Sequence, residues 1–229
     1  MNARTSARLA LDASVILESQ GIRPDAWQRE FLLCEDRQIM LLCCRGAGKS
    51  RATSAKALHR ALFFPKSLVL VISRSQRQSG ELFRYVLDGY RAVDRPVKAL
   101  RETMTELELV NGSRIVCLPS KEETIRSYQG VALLIKDEGA RIPDDLNKSV
   151  TPMLAVSQGQ EIDLSSPWGM RGWFWRKWRD DELRIRVSGH QAGCPPTADT
   201  IAFRDYRRQL SMKTALSWSA TTFHGAICA

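Results

Sequence analysis

A glycine-containing loop between an apolar run and a helical segment constrains the fold of this chain more than any other feature. Residues 39–42 are all apolar and predict a buried strand, and residues 43–50 match a phosphate-binding loop that opens a helix. Such a loop turns several backbone N–H groups and a helix N-terminus toward a phosphate chain. It departs from the usual pattern at its first position, where Cys43 stands in place of glycine. The positions expected to surround the phosphates are Arg45, Gly46, Ala47, Gly48, Lys49 and Ser50.

Three side chains give this loop its predicted chemistry. Lys49 is expected to reach the outer phosphates, and the hydroxyl of Ser50 is expected to bind Mg²⁺. Arg45 either neutralises charge that develops on the terminal phosphate, or pairs with a nearby carboxylate and holds the loop. A nucleoside triphosphate is therefore the predicted ligand. The alternative is an ordinary strand-to-helix turn that carries a lysine.

Apolar runs alternate with helical segments along most of the chain. Runs at 67–73, 131–135 and 161–164 predict further buried strands, and Asn111-Gly112 predicts the tight turn of an antiparallel hairpin. This alternation favours an α/β fold, a P-loop NTPase of the RecA/ASCE-like class with a mostly parallel sheet and helices on both faces. Ligands of such sheets bind at the carboxyl ends of the strands.

The composition points to an acidic partner. The chain of 229 residues carries a formal net charge of +9, which makes nucleic acid the first candidate. Its six cysteines show no C-x-x-C spacing, so buried thiols in a reducing compartment are expected. We find neither a secretory signal nor an apolar run long enough for a membrane span, and we therefore expect a cytoplasmic protein without a membrane partner.

Two adjacent acids end the third predicted strand. Asp137 is expected to bind Mg²⁺ together with Ser50, and Glu138 is expected to polarise the attacking water or to take its proton. The alternative is a solvated acidic pair at a strand end. Lys136 precedes the pair inside the apolar run, where a cation is expected to turn away from the core or to snorkel.

Two further pairs are candidates for nucleotide contacts. Trp27 and Gln28 precede the first strand, and the Gln28 amide offers both the donor and the acceptor that the edge of adenine requires. Ser165 and Ser166 follow the fourth strand, where their hydroxyls would sense the terminal phosphate. The alternatives are a helix-surface glutamine beside a core tryptophan, and a strand-terminating turn. The aromatic and basic segment 173–179 is expected to dock onto the sheet rather than to face DNA.

These motifs together resemble those of the ATPase domain of phage terminase large subunits. The resemblance covers about residues 20–195 and includes an adenine motif, a deviant phosphate loop with an early arginine, an Asp-Glu pair and a Ser-Ser-Pro coupling motif. In this chain these motifs fall on Trp27, Gln28, Arg45, Gly46, Ala47, Gly48, Lys49, Ser50, Asp137, Glu138, Ser165, Ser166 and Pro167.

The resemblance implies a DNA-packaging motor. Such a motor hydrolyses ATP with Mg²⁺ and pumps double-stranded DNA through a portal protein into a preformed capsid. It works as several copies in a homo-oligomeric ring, with a terminase small subunit, in the cytoplasm of the host cell. Family members also carry a C-terminal nuclease domain, for which too few residues follow Cys194, so nuclease activity is not predicted.

The resemblance also organises the chain into three expected parts. Residues 1–20 are an N-terminal helical segment, residues 21–195 are the P-loop ATPase domain, and residues 196–229 are a truncated or degenerate tail. Two other functions remain open at this point. One is an inactive, truncated prophage remnant that at most binds nucleotide, and the other is a fragment of a superfamily-2-type helicase.

Overall fold

One mostly parallel sheet of eight strands organises the described part of the chain. The computed structural model describes residues 3–120, 125, 128–155 and 157–180, and the backbone of 184–187; the predicted tail over 196–229 lies outside these residues. The strands are β1 (Gln38–Cys43), β2 (Leu68–Ser73), β3 (Ala99–Glu102), β4 (Glu106–Leu109), β5 (Arg114–Pro119), β6 (Val131–Asp137), β7 (Gln160–Ser165) and β8 (Arg184–Val187). Their order across the sheet is β3-β4-β5-β2-β6-β7-β1-β8.

Helices cover the sheet. They are α1 (Ala3–Leu11), α2 (Ser14–Glu18), α3 (Ala26–Leu33), α4 (Lys49–Phe63), α5 (Gln76–Ala92), α6 (Asp144–Val150) and α7 (Gly172–Asp180), with short 3-10 turns at Gly139–Arg141 and Thr151–Leu154. None of these described helices combines the length and the apolar character that a membrane crossing requires.

The central strands are buried on both faces, as a parallel sheet requires. Side chains of β1 alternate between two apolar clusters. Ile39 and Leu41 pack with α4 and α5, whereas Met40 and Leu42 pack on the opposite face with α6 and α7. The five pairings among β5, β2, β6, β7, β1 and β8 are all parallel. The predicted architecture, a parallel sheet between two helical layers, is confirmed.

An antiparallel extension completes one edge of the sheet, where β4 pairs with both β3 and β5. The predicted hairpin is present, but its connection is longer than a two-residue turn. Only Gly112 adopts a positive φ, 81°, and the Leu109 N–H donates to the carbonyl of Ser113. The Asn111 amide instead donates to the Ala61 carbonyl at 2.8 Å, and this contact ties the hairpin to the end of α4.

The N-terminal segment forms two short helices where one was expected. The Asp12 carboxylate accepts the N–H of Ser14 at 2.8 Å, and this local turn separates α1 from α2. Apolar side chains of both helices, Leu9, Val15 and Ile16 among them, join the cluster beneath α4. The segment is therefore packed against the core of the sheet domain.

Lys136 corrects one expectation, because it neither turns away from the core nor snorkels. Its side chain is 1% exposed, and its amino group donates to the Asn147 amide oxygen at 2.6 Å. The same amino group lies 2.7 Å from a carboxylate oxygen of Glu161 and 2.9 Å from one of Asp163. The Trp173 ring closes the site, with the amino group 4.4 Å from the ring centroid.

Lys177 of α7 completes this buried charge cluster. Its amino group lies 2.6 Å from the second carboxylate oxygen of Glu161 and 2.6 Å from that of Asp163, so two cations face two anions. Burial alone would raise the pKa of the Glu161 carboxyl, but the charges of Lys136 and Lys177 hold it below its ordinary value. The cluster therefore links β6, β7 and α7 through compensated charges.

Removal of one cation from this cluster should destabilise the chain strongly. We expect Lys136→Met to lower the free energy of unfolding by about 3 kcal/mol, because two buried carboxylates would then share a single lysine. Arg84→Met is the matched control. It removes a cation that pairs with Glu81 on the surface of α5, and it should cost less than about 0.5 kcal/mol. Urea unfolding at pH 7.5 measures both values, and equal losses would contradict a structural role for the cluster.

Candidate functional site

The phosphate-binding loop lies between the end of β1 at Cys43 and the start of α4 at Lys49. Gly48 allows its shape, since its φ of 78° suits glycine and a Cβ atom there would lie 2.6 Å from the Gln28 amide nitrogen. Helix α4 begins directly after this glycine, so the loop carries the partial positive charge of a helix N-terminus. Arg45 and Gly46 are exposed on this loop, and Ala47 is buried.

Gln28 braces this loop from behind. Its amide nitrogen donates to the Ala47 carbonyl at 3.3 Å, and its amide oxygen accepts the Asp25 N–H at 3.0 Å. The second bond is half of a capping box at the start of α3, which fixes the side chain in place. Trp27 is buried beside it. Recognition of adenine by Trp27 and Gln28 stays a prediction, but the structure shows a second use for the same amide.

The acidic pair lies close to the loop, through the contact of Glu138 with Lys49. Asp137 ends β6, and the Glu138 carboxylate has one oxygen 3.3 Å from the amino group of Lys49. Glu138 adopts a φ of 54°, in the left-handed region that residues with a side chain seldom occupy. Asp137 stabilises this turn, because its carboxylate accepts the Glu138 N–H at 3.1 Å.

The serine pair after β7 joins the same site. The Lys49 amino group donates to the Ser166 hydroxyl at 3.0 Å, and that hydroxyl in turn donates to the Glu138 carboxylate at 3.4 Å. Ser165 accepts the Ala140 N–H at 3.3 Å and thereby connects the end of β7 to the turn after β6. Lysine, serine and glutamate from three strand ends thus form one hydrogen-bonded group.

Burial and a like charge shape the acid chemistry of this site. Desolvation, with the charge of Glu138 as the second cause, raises the pKa of Asp137 to about 6, although Lys49 opposes the shift. Burial also raises the pKa of the Cys43 thiol at the start of the loop to about 12. A buried carboxylate anion is poorly solvated, and a nearby cation stabilises it. The surroundings of Asp137 therefore favour the binding of a cation.

The oxygen donors near the loop fit Mg²⁺. Asp137 offers a carboxylate and Ser50, in the first turn of α4, offers a hydroxyl. Across the described residues there is no group of three or more His, Cys, Asp or Glu side chains that would hold a metal by themselves. Mg²⁺ commonly takes one or two protein oxygens and completes its shell with phosphates and water, so this short donor set suits it.

Sequence reasoning missed one pair of residues beside the site. The Arg141 guanidinium lies 3.7 Å from the ring centroid of Trp168, and its Nε atom lies 3.9 Å from the second carboxylate oxygen of Glu138. That oxygen is buried and has no hydrogen-bond partner among the described residues. One available signal was the spacing of three residues between Glu138 and Arg141. The segment 173–179, in contrast, docks onto the sheet as expected, through the buried rings of Trp173, Phe174 and Trp178.

Asp137→Asn should stabilise the ligand-free chain at neutral pH. Because folding raises the pKa of Asp137 from 3.8 to about 6, the folded state holds the extra proton and its stability falls as pH rises through this window. The penalty is absent below pH 4 and complete above about pH 6. We therefore expect a gain on the order of 2 kcal/mol at pH 7.5 that disappears near pH 4.

Urea unfolding at the two pH values measures this gain. Asp88→Asn, an exposed position on α5, is the control and should change stability by less than about 0.5 kcal/mol. A loss of stability in Asp137→Asn at pH 7.5 would show that the buried carboxylate carries no such penalty.

Solved large terminases have a similar fold. The ATPase domain of the large terminase of Thermus phage P74-26 aligns with a TM-score of 0.66 at 18% identity, over 89% of this chain and 92% of that domain. The HK97 bacteriophage large terminase gives a TM-score of 0.61 at 15% identity, over 85% of this chain and 48% of that one. A large terminase from a thermophilic bacteriophage, solved in complex with ADP, gives 0.59 at 16% identity, over 81% and 50%. The chain thus spans about half the length of the last two proteins.

These likenesses confirm the predicted P-loop NTPase fold, and a family model identifies the group of proteins. No curated protein sequence matches the chain. The family model described as "Terminase large subunit, T4likevirus-type, N-terminal" matches residues 40–223, which include the phosphate-binding loop, the acidic pair and the serine pair. Because this match covers most of the chain, the protein belongs to the terminase large subunit family.

Proposed function

We propose that this chain is the ATPase motor domain of a terminase large subunit, which couples Mg-ATP hydrolysis to the translocation of double-stranded DNA into a viral capsid. The observation that carries the proposal is the convergence of Lys49, Glu138 and Ser166, which come from three separate strand ends, within 3.4 Å of one another. Nucleotide complexes of a relative support it, since the large terminase of a thermophilic bacteriophage has been solved with ADP and with ATP-gamma-S. The family match favours this function over a helicase fragment.

Each loop residue has a proposed role in nucleotide binding. Lys49 and the backbone of Gly46, Ala47 and Gly48 hold the phosphates, and Arg45 neutralises charge at the terminal phosphate. Ser50 and Asp137 would hold Mg²⁺, which would screen the phosphate charge and polarise the terminal phosphoryl group. Trp27 and Gln28 recognise adenine, in which case Gln28 exchanges its bond to the Ala47 carbonyl for one to the base.

Glu138 is the proposed general base. In the ligand-free structure its carboxylate is paired with Lys49, so the amino group must leave it when phosphates arrive. The freed oxygen then accepts a proton from the attacking water, which is held in line with the terminal phosphate. Ser165 ends β7 and accepts the Ala140 N–H, and Ser166 begins the loop after β7 and donates to this carboxylate. We propose that these contacts relay the loss of the phosphate to that loop.

The basic charge of the chain supports a DNA partner. Arg74 and Arg77 follow β2 and are exposed at the same edge of the sheet as the nucleotide site, and Arg84 is exposed about two turns further along α5. We propose that this basic face contacts the phosphate backbone of duplex DNA. The portal protein, the terminase small subunit and a homo-oligomeric ring in the host cytoplasm complete the proposed assembly.

Two substitutions test the chemical roles. Glu138→Gln should retain ATP binding and lower single-turnover hydrolysis by about 100-fold or more, because the general base is lost. Lys49→Ala should weaken nucleotide binding as well as turnover. Glu81→Gln and Lys148→Ala remove the same types of side chain at exposed positions, and both variants should behave like the parent. Hydrolysis by Glu138→Gln at the parental rate would refute its proposed role.

Duplex DNA tests the motor function. We expect DNA to stimulate ATP turnover, and the stimulation to weaken as salt rises because phosphate contacts release counterions. The double variant Arg74→Ala/Arg77→Ala should keep the turnover measured without DNA and lose most of the stimulation. A parent chain that binds ATP and shows no turnover, with or without DNA, would favour the inactive alternative.

A further inference from the structure

We infer that Arg141 and Trp168 form a positioning pair that orients the Glu138 carboxylate and transmits its state to the loop after β7. The inference rests on the proposed function, since it assigns Glu138 the role of general base. It goes beyond that function because neither Arg141 nor Trp168 belongs to the phosphate-binding loop, the acidic pair or the serine pair.

The turn that carries Arg141 is fixed by packing. Its backbone N–H donates to the Glu138 carbonyl at 2.8 Å, which closes the 3-10 turn directly after the acidic pair. A Cβ atom on Gly139 would lie 3.0 Å from the Phe174 ring, so the turn lies tightly against α7. The Trp173 indole N–H also donates to the Ile142 carbonyl at 3.0 Å. The backbone of Arg141 is therefore held in place, and its side chain extends toward two partners, Glu138 and Trp168.

Its two partners differ in exposure. The Glu138 side chain is 16% exposed, and its second carboxylate oxygen faces the Nε of Arg141 at 3.9 Å, just beyond hydrogen-bond distance. Trp168 is 43% exposed and follows Ser166-Pro167 directly, in a loop that leads to α7. The central carbon of the Arg141 guanidinium lies over the indole ring, 3.7 Å from its centroid, so the arginine connects the buried acid to the loop between β7 and α7.

The charges explain why the carboxylate needs this arginine. Without nucleotide, Glu138 faces two cations, Lys49 at one oxygen and Arg141 near the other. Once Lys49 turns to the phosphates, Arg141 remains to compensate the buried anion. It does so at the second oxygen, which lacks a hydrogen bond in the described structure, and this leaves the first oxygen for the water. A carboxylate held at one oxygen keeps the other in a defined direction.

The same movement of Arg141 shifts the loop between β7 and α7, which carries Trp168. If the Arg141 side chain moves closer to Glu138, its guanidinium must slide across the Trp168 ring or draw the ring with it, because the backbone of Arg141 is fixed against α7. The position of Trp168 therefore depends on whether Lys49 or Arg141 neutralises the carboxylate. Arg171 is the second guanidinium near this ring, at 5.9 Å, but it is exposed and belongs to the loop itself.

Kinetics of the full chain test the positioning role. We expect Arg141→Gln to lower kcat for ATP by about tenfold to a hundredfold and to leave KM and ADP affinity within about twofold. Arg141→Lys should recover part of the loss because it restores charge without a planar group. Trp168→Leu should lower kcat less than Arg141→Gln, and Trp168→Phe should stay near the parent because an aromatic face remains. Arg171→Gln is the matched control and should leave kcat unchanged.

Tryptophan fluorescence tests the link to the loop without any need for hydrolysis. The Trp168 signal is the difference between the parent and Trp168→Phe, each measured with and without a non-hydrolysable ATP analogue and Mg²⁺. We expect the analogue to change this signal in the parent and to leave it unchanged when the same pair of proteins carries Arg141→Gln. An unaltered response in the Arg141→Gln background would overturn the proposed link.

The outcomes separate this inference from the proposed function. If Lys49→Ala and Glu138→Gln hydrolyse ATP like the parent, the proposed function fails. If those variants are impaired while Arg141→Gln keeps the parental kcat, only the positioning role fails. A parallel fall in kcat, ADP affinity and unfolding free energy in Arg141→Gln would show a merely structural contribution, and would also overturn it.

Discussion

Parallel pairing of β1, β7 and β6 is the constraint on which the site depends. Leu42 lies opposite Ser165, and Asp137 lies opposite Leu164, so the three strands end at nearly the same level. Each strand then delivers a different polar group to one edge of the sheet: a lysine-bearing loop, a serine pair and an acidic pair. A shift of one residue in either register would move one of these groups by about 3 Å, farther than any of the contacts could tolerate.

The buried charge cluster reinforces this register from within the sheet. Lys136 lies opposite Asp163 in the pairing of β6 with β7. On β6, Lys136 comes one residue before Asp137, and on β7, Asp163 comes two residues before Ser165. The ion pairs of Lys136 therefore hold the two strands together directly behind the edge that carries the candidate site, and Lys177 fastens α7 to the same point. Burial of four charges is costly unless they are well matched, and this requirement selects one alignment of strands and helix over its neighbours.

Local patterns predicted the features that depend on neighbouring residues. The apolar runs marked the central strands, and the loop, the acidic pair and the serine pair were each recognisable where a strand ends. Features that depend on distant residues were not predictable in this way. The environment of Lys136 was predicted wrongly because its partners lie on β7 and α7. The acidic residues Glu161 and Asp163 within a predicted core strand were nevertheless a signal. The contact of Arg141 with Trp168 joins two loops and leaves no periodic trace in the sequence.

The two cysteines at the start of the phosphate-binding loop determine how that loop responds to thiol reagents. Cys43 and Cys44 are both buried, and the thiol of Cys43, whose pKa is about 12, is almost entirely protonated at neutral pH. Alkylating reagents and peroxides attack the thiolate and need access to it, so neither cysteine offers them a target in the folded chain. The cysteine that begins the phosphate-binding loop is therefore chemically unreactive in the folded chain. It packs closely, as a small apolar side chain would, and is protected from oxidation.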